Sequence, residues 1–177
     1  MPSYCEFVRD LPPDNVHRQY HDTQYGFPLT DDNELFGRLI LEINQAGLSW
    51  ELILKKANNF RKAYANFEVD NVARFTEEDR NRLLQDAGII RNKLKVNAAI
   101  HNAKQIQGLQ SEYGSFKNWL DHHHPMPKTD WVKRFKKTFK FTGGEITGEF
   151  LMSTGYLPGA HDADCPVGQR LKQIHHK

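Results

Sequence analysis

The sequence predicts an all-α protein, and three observations carry that expectation. Apolar residues recur three and four positions apart through most of the 177 residues. Acids and Ser/Thr cluster where such runs begin, and no stretch alternates convincingly with period two. The first run opens at Thr30-Asp31-Asp32-Asn33-Glu34, which reads as a helix start with an Asp-x-x-Glu capping box; Leu35, Phe36, Leu39, Ile40 and Ile43 then share one face. Gly47 ends that helix, and Ser49 is placed to cap the next, which carries Leu52 and Ile53. Phe60, Ala63, Tyr64 and Phe67 mark a third. Thr76, followed by Glu77, Glu78 and Asp79, opens a fourth that is expected to bury Leu83, Leu84 and Ala87. After Gly88 a longer helix is set by Val96, Ala99, Ile100, Ala103 and Ile106. Shorter helices are expected over Ser115 to Asp121, Thr129 to Lys137 and Glu145 to Thr154, with Gly155 at the last C-cap and His122 to Pro127 as a loop.

Composition bounds the class. A chain of this length, 38% hydrophobic and 26% charged, can bury a core and reads as one globular domain, residues 1–177. No apolar run approaches the ~18–20 residues of a membrane helix, and no signal-peptide pattern opens the chain. Two cysteines make no disulfide framework, so the expected compartment is the cytoplasm, and no membrane partner is expected. A net charge of +2 does not announce nucleic acid, but the basic residues are bunched. Lys128, Lys133, Arg134, Lys136, Lys137 and Lys140 lie close together with Asp130 as the one acid among them, and Arg91, Lys93 and Lys95 form a second group. Such groups suit a solvated face or a polyanion.

The two cysteines carry more information. Cys5 is followed sixteen residues on by His21, and Cys165 is preceded four residues earlier by His161. Two thiols and two imidazoles make one complete tetrahedral zinc shell; with no open position, that zinc would be structural and would clip the two ends of the chain (1–30 and 156–177) together. The alternative is two unrelated buried thiols in a chain with nine histidines.

A second candidate lies at Leu84-Gln85-Asp86-Ala87-Gly88-Ile89-Ile90-Arg91-Asn92-Lys93, a glycine-containing turn between two amphipathic helices. Gly88 would supply a positive φ, and amides near the next helix start could converge on a phosphate beside Arg91, Lys93 and Lys95. This resembles the helix-hairpin-helix element that holds one DNA strand by its phosphates; an ordinary αα-hairpin with a glycine C-cap has the same pattern.

These residues, with Gln45-Ala46-Gly47-Leu48-Ser49-Trp50, Tyr20-His21-Asp22-Thr23-Gln24-Tyr25-Gly26, Phe139-Lys140-Phe141-Thr142-Gly143 and the Cys/His set, closely resemble the 3-methyladenine DNA glycosylase I family, in order from Cys5 to Cys165. The resemblance implies a helix-hairpin-helix glycosylase fold closed by zinc at Cys5, His21, His161 and Cys165. It implies a monomeric enzyme that acts on double-stranded DNA containing alkylated adenine, cleaves the N-glycosidic bond of 3-methyladenine and leaves an abasic site without cutting the strand. Glu42 is the implied catalytic and base-binding carboxylate, with Tyr20 and Trp50 as stacking surfaces and Phe7 and Tyr25 at the family's aromatic positions. Gly47 and Leu48 would enter the DNA where the nucleotide has left, with Gly88, Arg91, Lys93 and Lys95 on phosphates. The chain departs from the family pattern at Phe7 and Tyr25, where Trp is usual, at Gln24, where an acid is usual, and through His122 to Thr138. Two other classes share parts of the pattern. A zinc-stapled DNA-binding module without chemistry is disfavoured by the intact Glu42, Tyr20 and Trp50 set; a metal hydrolase is disfavoured because a shell of four protein ligands is closed.

Overall fold

A computed structural model describes residues 1–175, which form twelve α-helices and no strands. They are α1 (Tyr4–Arg9), α2 (Val16–Thr23), α3 (Asp32–Gln45), α4 (Trp50–Lys55), α5 (Ala57–Ala63), α6 (Val69–Ala73), α7 (Glu77–Gln85), α8 (Lys93–Tyr113), α9 (Phe116–His123), α10 (Lys128–Thr138), α11 (Gly144–Ser153) and α12 (Pro166–His175). The all-helical expectation holds. None of these helices is long and apolar enough to cross a membrane.

The central element is α3. Leu35, Phe36, Leu39, Ile40 and Ile43 are buried, and they join side chains from α5, α8, α9, α10 and α11 in one apolar core that includes Phe60, Ile100, Phe116, Trp131 and Phe150. Asp31 caps the helix as expected, its carboxylate accepting from the amides of Asn33 and Glu34. The other half of the expected capping box is not made. Glu34 turns outward and takes a bidentate pair from Arg61, both contacts at 2.9 Å, a stronger partner for a carboxylate than one backbone amide. Asp32 in turn accepts from the amides of Phe116 and Lys117, so a residue of α3 caps the start of α9.

Ser49 caps α4 through the amide of Leu52, and Asn92 caps α8 through that of Lys95. The third expected helix stops early: α5 ends at Ala63, and Ala65, Asn66 and Phe67 all have φ between 54° and 61°. That left-handed turn delivers the Phe67 ring onto α3 at Gly37, where an added Cβ would lie 2.3 Å from Phe67 Cδ2. Gly37 is therefore a contact glycine. Ala87 is exposed and Leu84 half-buried, so the buried face of α7 is narrower than expected. His122 and His123 extend α9 rather than opening the loop, and Gly155 (φ +88°) follows the C-cap residue Thr154.

Candidate functional site: an aromatic, carboxylate-lined cavity beside a Cys/His cluster

Helices α2, α3 and α4 converge with α1 and α11 around a cavity of about 390 Å³, lined by Tyr4, Tyr20, Tyr25, Glu42, Gln45, Trp50, Glu145 and Glu149. The run Gln45 to Trp50 serves it directly. Gly47, at φ +80° and with open space where a Cβ would be, turns the chain out of α3. Ser49 then starts α4, so that Trp50 at its first position returns to the cavity. The Tyr20 ring meets Trp50 edge-on at 5.2 Å and Tyr25 at 5.7 Å; Tyr4 stands edge-on to Tyr25 at 5.3 Å. On its other face Tyr20 carries the Arg38 guanidinium, 5.3 Å from the ring centre.

Glu42 is the unusual group. It is 4% exposed, lines the cavity and has no hydrogen-bond or ion-pair partner among the described residues. Burial pushes its carboxyl up to about 8, the negative charge of Glu149 adds to the rise, and Arg38, one turn earlier on α3, opposes it. A carboxylate this buried is retained against a solvation cost, which favours a functional origin. The tyrosine hydroxyls at positions 20 and 25 are raised by burial and stay neutral, so the charge facing a ligand is carboxylate charge.

The structure places three of the four expected aromatics at this cavity. Tyr20, Tyr25 and Trp50 line the cavity; Phe7 does not. Phe7 is 48% exposed and stacks on the outer face of Tyr4, at 6.2 Å and 16° between planes, so the aromatic that α1 offers to the cavity is Tyr4. Residues three apart on one helix share a face, and the residue nearer the cavity took the inner place. Tyr4, Gln45, Glu145 and Glu149 are the lining residues to which the sequence assigned no role. A helix start at Ser3, with its capping box to Glu6, was the available signal for α1; nothing local marked the two glutamates.

Behind this wall lies the Cys/His cluster, and its four side chains do come together. The donor atoms of Cys5, His21, His161 and Cys165 lie within 4.8 Å of one another and could hold a metal ion. His21 Nε2 and His161 Nδ1 are 3.2 Å apart, and sulfur-to-nitrogen separations run from 3.2 to 3.7 Å. A tetrahedral zinc with Zn–N near ~2.05 Å and Zn–S near ~2.3 Å needs edges of about 3.3 Å and 3.6 Å. The outer ring nitrogens are also engaged: His21 Nδ1 contacts Asp22 at 2.7 Å, and His161 Nε2 the Tyr25 carbonyl at 2.6 Å. Those contacts aim the inner nitrogens at the common centre.

The turn between α7 and α8 differs from the expectation. Gly88 is not in a positive-φ conformation. A Cβ there would fit tightly, 3.0 Å from Asp86 Oδ1 and 3.2 Å from Asn59 Nδ2, and the Gly88 amide donates to Asp86. Lys95 is 4% exposed, its ammonium donating to the carbonyls of Asn44 (2.9 Å) and Ala46 (2.7 Å) at the end of α3. It caps the helix that carries Glu42 and is turned away from the surface that Arg91 and Lys93 share. The amides of Ile90, Arg91, Lys93 and Leu94 have no acceptor among the described residues. Leu48 is exposed at the tip between α3 and α4.

Fold and cavity together define a helical protein that can receive one planar, electron-poor ring between aromatic faces and a buried carboxylate. Comparison with known proteins gives the family. Residues 11–142 match the sequence pattern described as methyladenine glycosylase. The chain is 34% identical over 171 residues to DNA-3-methyladenine glycosylase 1 of Escherichia coli K12, covering 86% of this chain and 91% of that protein. It is 30% identical to DNA-3-methyladenine glycosylase of Haemophilus influenzae, covering 94% and 98%. Among solved structures, a variant of 3-methyladenine DNA glycosylase I in complex with 3-methyladenine superposes with a TM-score of 0.82 at 32% identity, covering 93% and 96% of the two chains. The Staphylococcus aureus 3-methyladenine DNA glycosylase I superposes with a TM-score of 0.79 at 32% identity, covering 88% and 93%. The chain belongs to the methyladenine glycosylase family.

Proposed function

We propose that this protein excises 3-methyladenine from alkylated double-stranded DNA, hydrolysing the N-glycosidic bond and leaving an abasic site. The observation that carries the reading is Glu42, buried and unpartnered in a cavity walled by Tyr4, Tyr20, Tyr25 and Trp50. A 3-methylated adenine is cationic while attached to its sugar. Aromatic faces attract such a ring through a cation–π interaction, and Glu42 supplies the opposite charge and an acceptor for the exocyclic amine. Taking the base out of the duplex costs a few kcal/mol, offset by stacking in the cavity. The base leaves as a neutral molecule, so no strong general acid is needed; orientation, desolvation and electrostatic support of the electron-poor sugar suffice. Among the described residues no lysine lines the cavity to act as a Schiff-base nucleophile, and Lys95, at the end of α3, is committed to two carbonyls. The enzyme is accordingly read as monofunctional. Methylated duplex DNA incubated with the protein should yield free 3-methyladenine and an uncut strand with an alkali-labile site; release of no 3-methyladenine would refute the reading.

The remaining assignments support this one. Helices α7 and α8 with their turn are read as the helix-hairpin-helix element, in which free amides at the start of α8, with Arg91 and Lys93, hold phosphates. Leu48 is read as the apolar wedge that fills the space left by the flipped nucleotide, with Gly47 giving the tip its turn. The Cys/His cluster is read as one structural zinc, held by Cys5, His21, His161 and Cys165, that supports the wall bearing Tyr4, Tyr20 and Tyr25. The protein is read as one domain acting as a cytoplasmic monomer.

The phosphate assignment has its own test. DNA affinity should fall steeply with salt, and Arg91→Ala with Lys93→Ala should flatten the log–log slope by about two. Lys95→Met should leave that slope unchanged and lower the unfolding midpoint instead, because two carbonyls lose their donor. A slope that drops equally for Lys95→Met would return Lys95 to the phosphate surface.

A further inference from the structure

The cavity holds more negative charge than Glu42 alone. Glu149 and Glu145, one turn apart on α11, stand at its rim, opposite the helix that carries Glu42. Neither has an ion-pair partner within 4 Å among the described residues. They also form the boundary with a second recess of about 400 Å³ lined by Met126, Pro127, Lys128, Gly148, Met152 and others. Lys128, on α10, lies along Gly148, where a Cβ would come within 2.7 Å of its Cε.

We propose that Glu149 is a specificity-determining residue for the excision reaction, a second carboxylate at the cavity rim that ties binding of a purine to its positive charge. The proposal rests on the glycosylase reading above and adds a residue and a consequence to it.

The argument is electrostatic and geometric. Glu42 at the cavity floor faces Glu149 from α11, Arg38 from its own helix, and the neutral phenols of Tyr20 and Tyr25. Glu149 faces Glu145 from its own helix and Lys128 from α10. Two carboxylates acting on one cavity disfavour each other's ionisation: burial and the Glu149 charge push Glu42 up to about 8, and burial and Glu145 raise Glu149 in turn, with Lys128 opposing. A cationic purine entering between them relieves that repulsion. It attracts both charges and lets the Glu42 proton depart to solvent, after which Glu42 pairs with the ring. A neutral purine has nothing to offset the like-charge repulsion and is received with Glu42 still protonated.

The test compares the wild-type protein with Glu149→Gln in single-turnover excision of 3-methyladenine from methylated duplex DNA between pH 6.5 and 9. At pH 9 Glu42 is ionised in both proteins, and the variant should be slower by about tenfold, the scale of one charge acting across a cavity at an effective dielectric near 20. As pH falls, the wild type takes up its Glu42 proton around pH 8, whereas the variant, freed of the Glu149 charge, does so at lower pH. The deficit should therefore shrink toward pH 6.5. A purely structural role for Glu149 would give a deficit that is constant with pH. Glu145→Gln, which removes the other rim carboxylate, should show the same pattern more weakly, and a circular dichroism melt confirms that each variant is folded. Equal rates at pH 9, or a pH-independent ratio, overturns the proposal while wild-type excision leaves the glycosylase reading intact. Wild-type protein without excision would instead remove the reading on which the proposal stands.

Discussion

Cys165→Ser combined with His161→Ala is expected to abolish the proposed metal binding at the Cys/His cluster and to lower the unfolding midpoint by about 10 °C. The region concerned has little else to hold it. Cys165, Val167 and Leu171 form a small apolar cluster of their own, with Cys5 and Phe27 packed against it among the described residues, separate from the main core around α3. The polar ties among the described residues are few: the Ser3 hydroxyl donates to Asp162, the Asp162 amide to Cys5 Sγ and Arg170 to the Asp22 carbonyl, and His161 Nε2 meets the Tyr25 carbonyl. Loss of a structural zinc removes ligand bonds that in small domains are worth as much as the fold itself. Here a separate core remains, so a loss of about 3–5 kcal/mol is expected, which for a chain of this size is roughly 10 °C or somewhat more. Elemental analysis should find one zinc per wild-type chain purified without added metal and none in the double variant. Full retention of zinc in the variant, or no stoichiometric zinc in the wild type, would refute the assignment. Excision should weaken without vanishing. Tyr4 precedes Cys5, Tyr20 precedes His21, and the Tyr25 carbonyl holds His161, so three aromatic walls of the cavity are attached to the Cys/His cluster while Glu42 and Trp50 are not.

The sequence carried the helices that cross the main core, because their apolar spacing is what burial against several neighbours requires. It did not disclose α1, α2, α6 and α12. Helices α1 and α6 have six and five residues, too short for a period to emerge, and α1 is held by its Ser3 cap and by the neighbouring Cys/His cluster. The Cys/His set was legible because soft ligands of this number are rare in one chain, even though the residues come from opposite ends. Lys95 shows the opposite case. Its neighbours Arg91 and Lys93 are surface cations, yet at its own position it faces inward, where the free carbonyls at the end of α3 provide the partners a buried ammonium needs. A spacing rule sees the charge and not the carbonyls. Glu145 and Glu149 were illegible for a similar reason: acids on a short amphipathic helix look like a solvated face until the fold sets that face against Glu42.

Glu42→Gln and Trp50→Ala are expected to separate two contributions to recognition that the cavity combines. Trp50 offers a stacking face to the cavity while packing against Tyr20 and the edge of the main core, so Trp50→Ala should weaken excision by roughly tenfold to a hundredfold, in keeping with about 1–3 kcal/mol for one base on one aromatic face. Glu42→Gln keeps shape and hydrogen-bonding capacity and removes the charge. Its signature lies in pH dependence. With its carboxyl pushed up to about 8 by burial and by Glu149, the wild type should excise faster as pH rises to about 8, and the variant should lose that rise. Stability should move the other way. A carboxyl whose folded value exceeds its unfolded one leaves the protein at full stability below about pH 4.5 and progressively less stable as pH rises to about 8. Glutamine escapes that loss, so Glu42→Gln should match the wild type in urea unfolding at pH 4 and exceed it by a few kcal/mol at pH 9. A variant that is less active and more stable at pH 9 identifies Glu42 as a charge held in place for the substrate. Equal stability at both pH values, together with unchanged excision, would show that the carboxylate is solvated and plays no part in recognising the base.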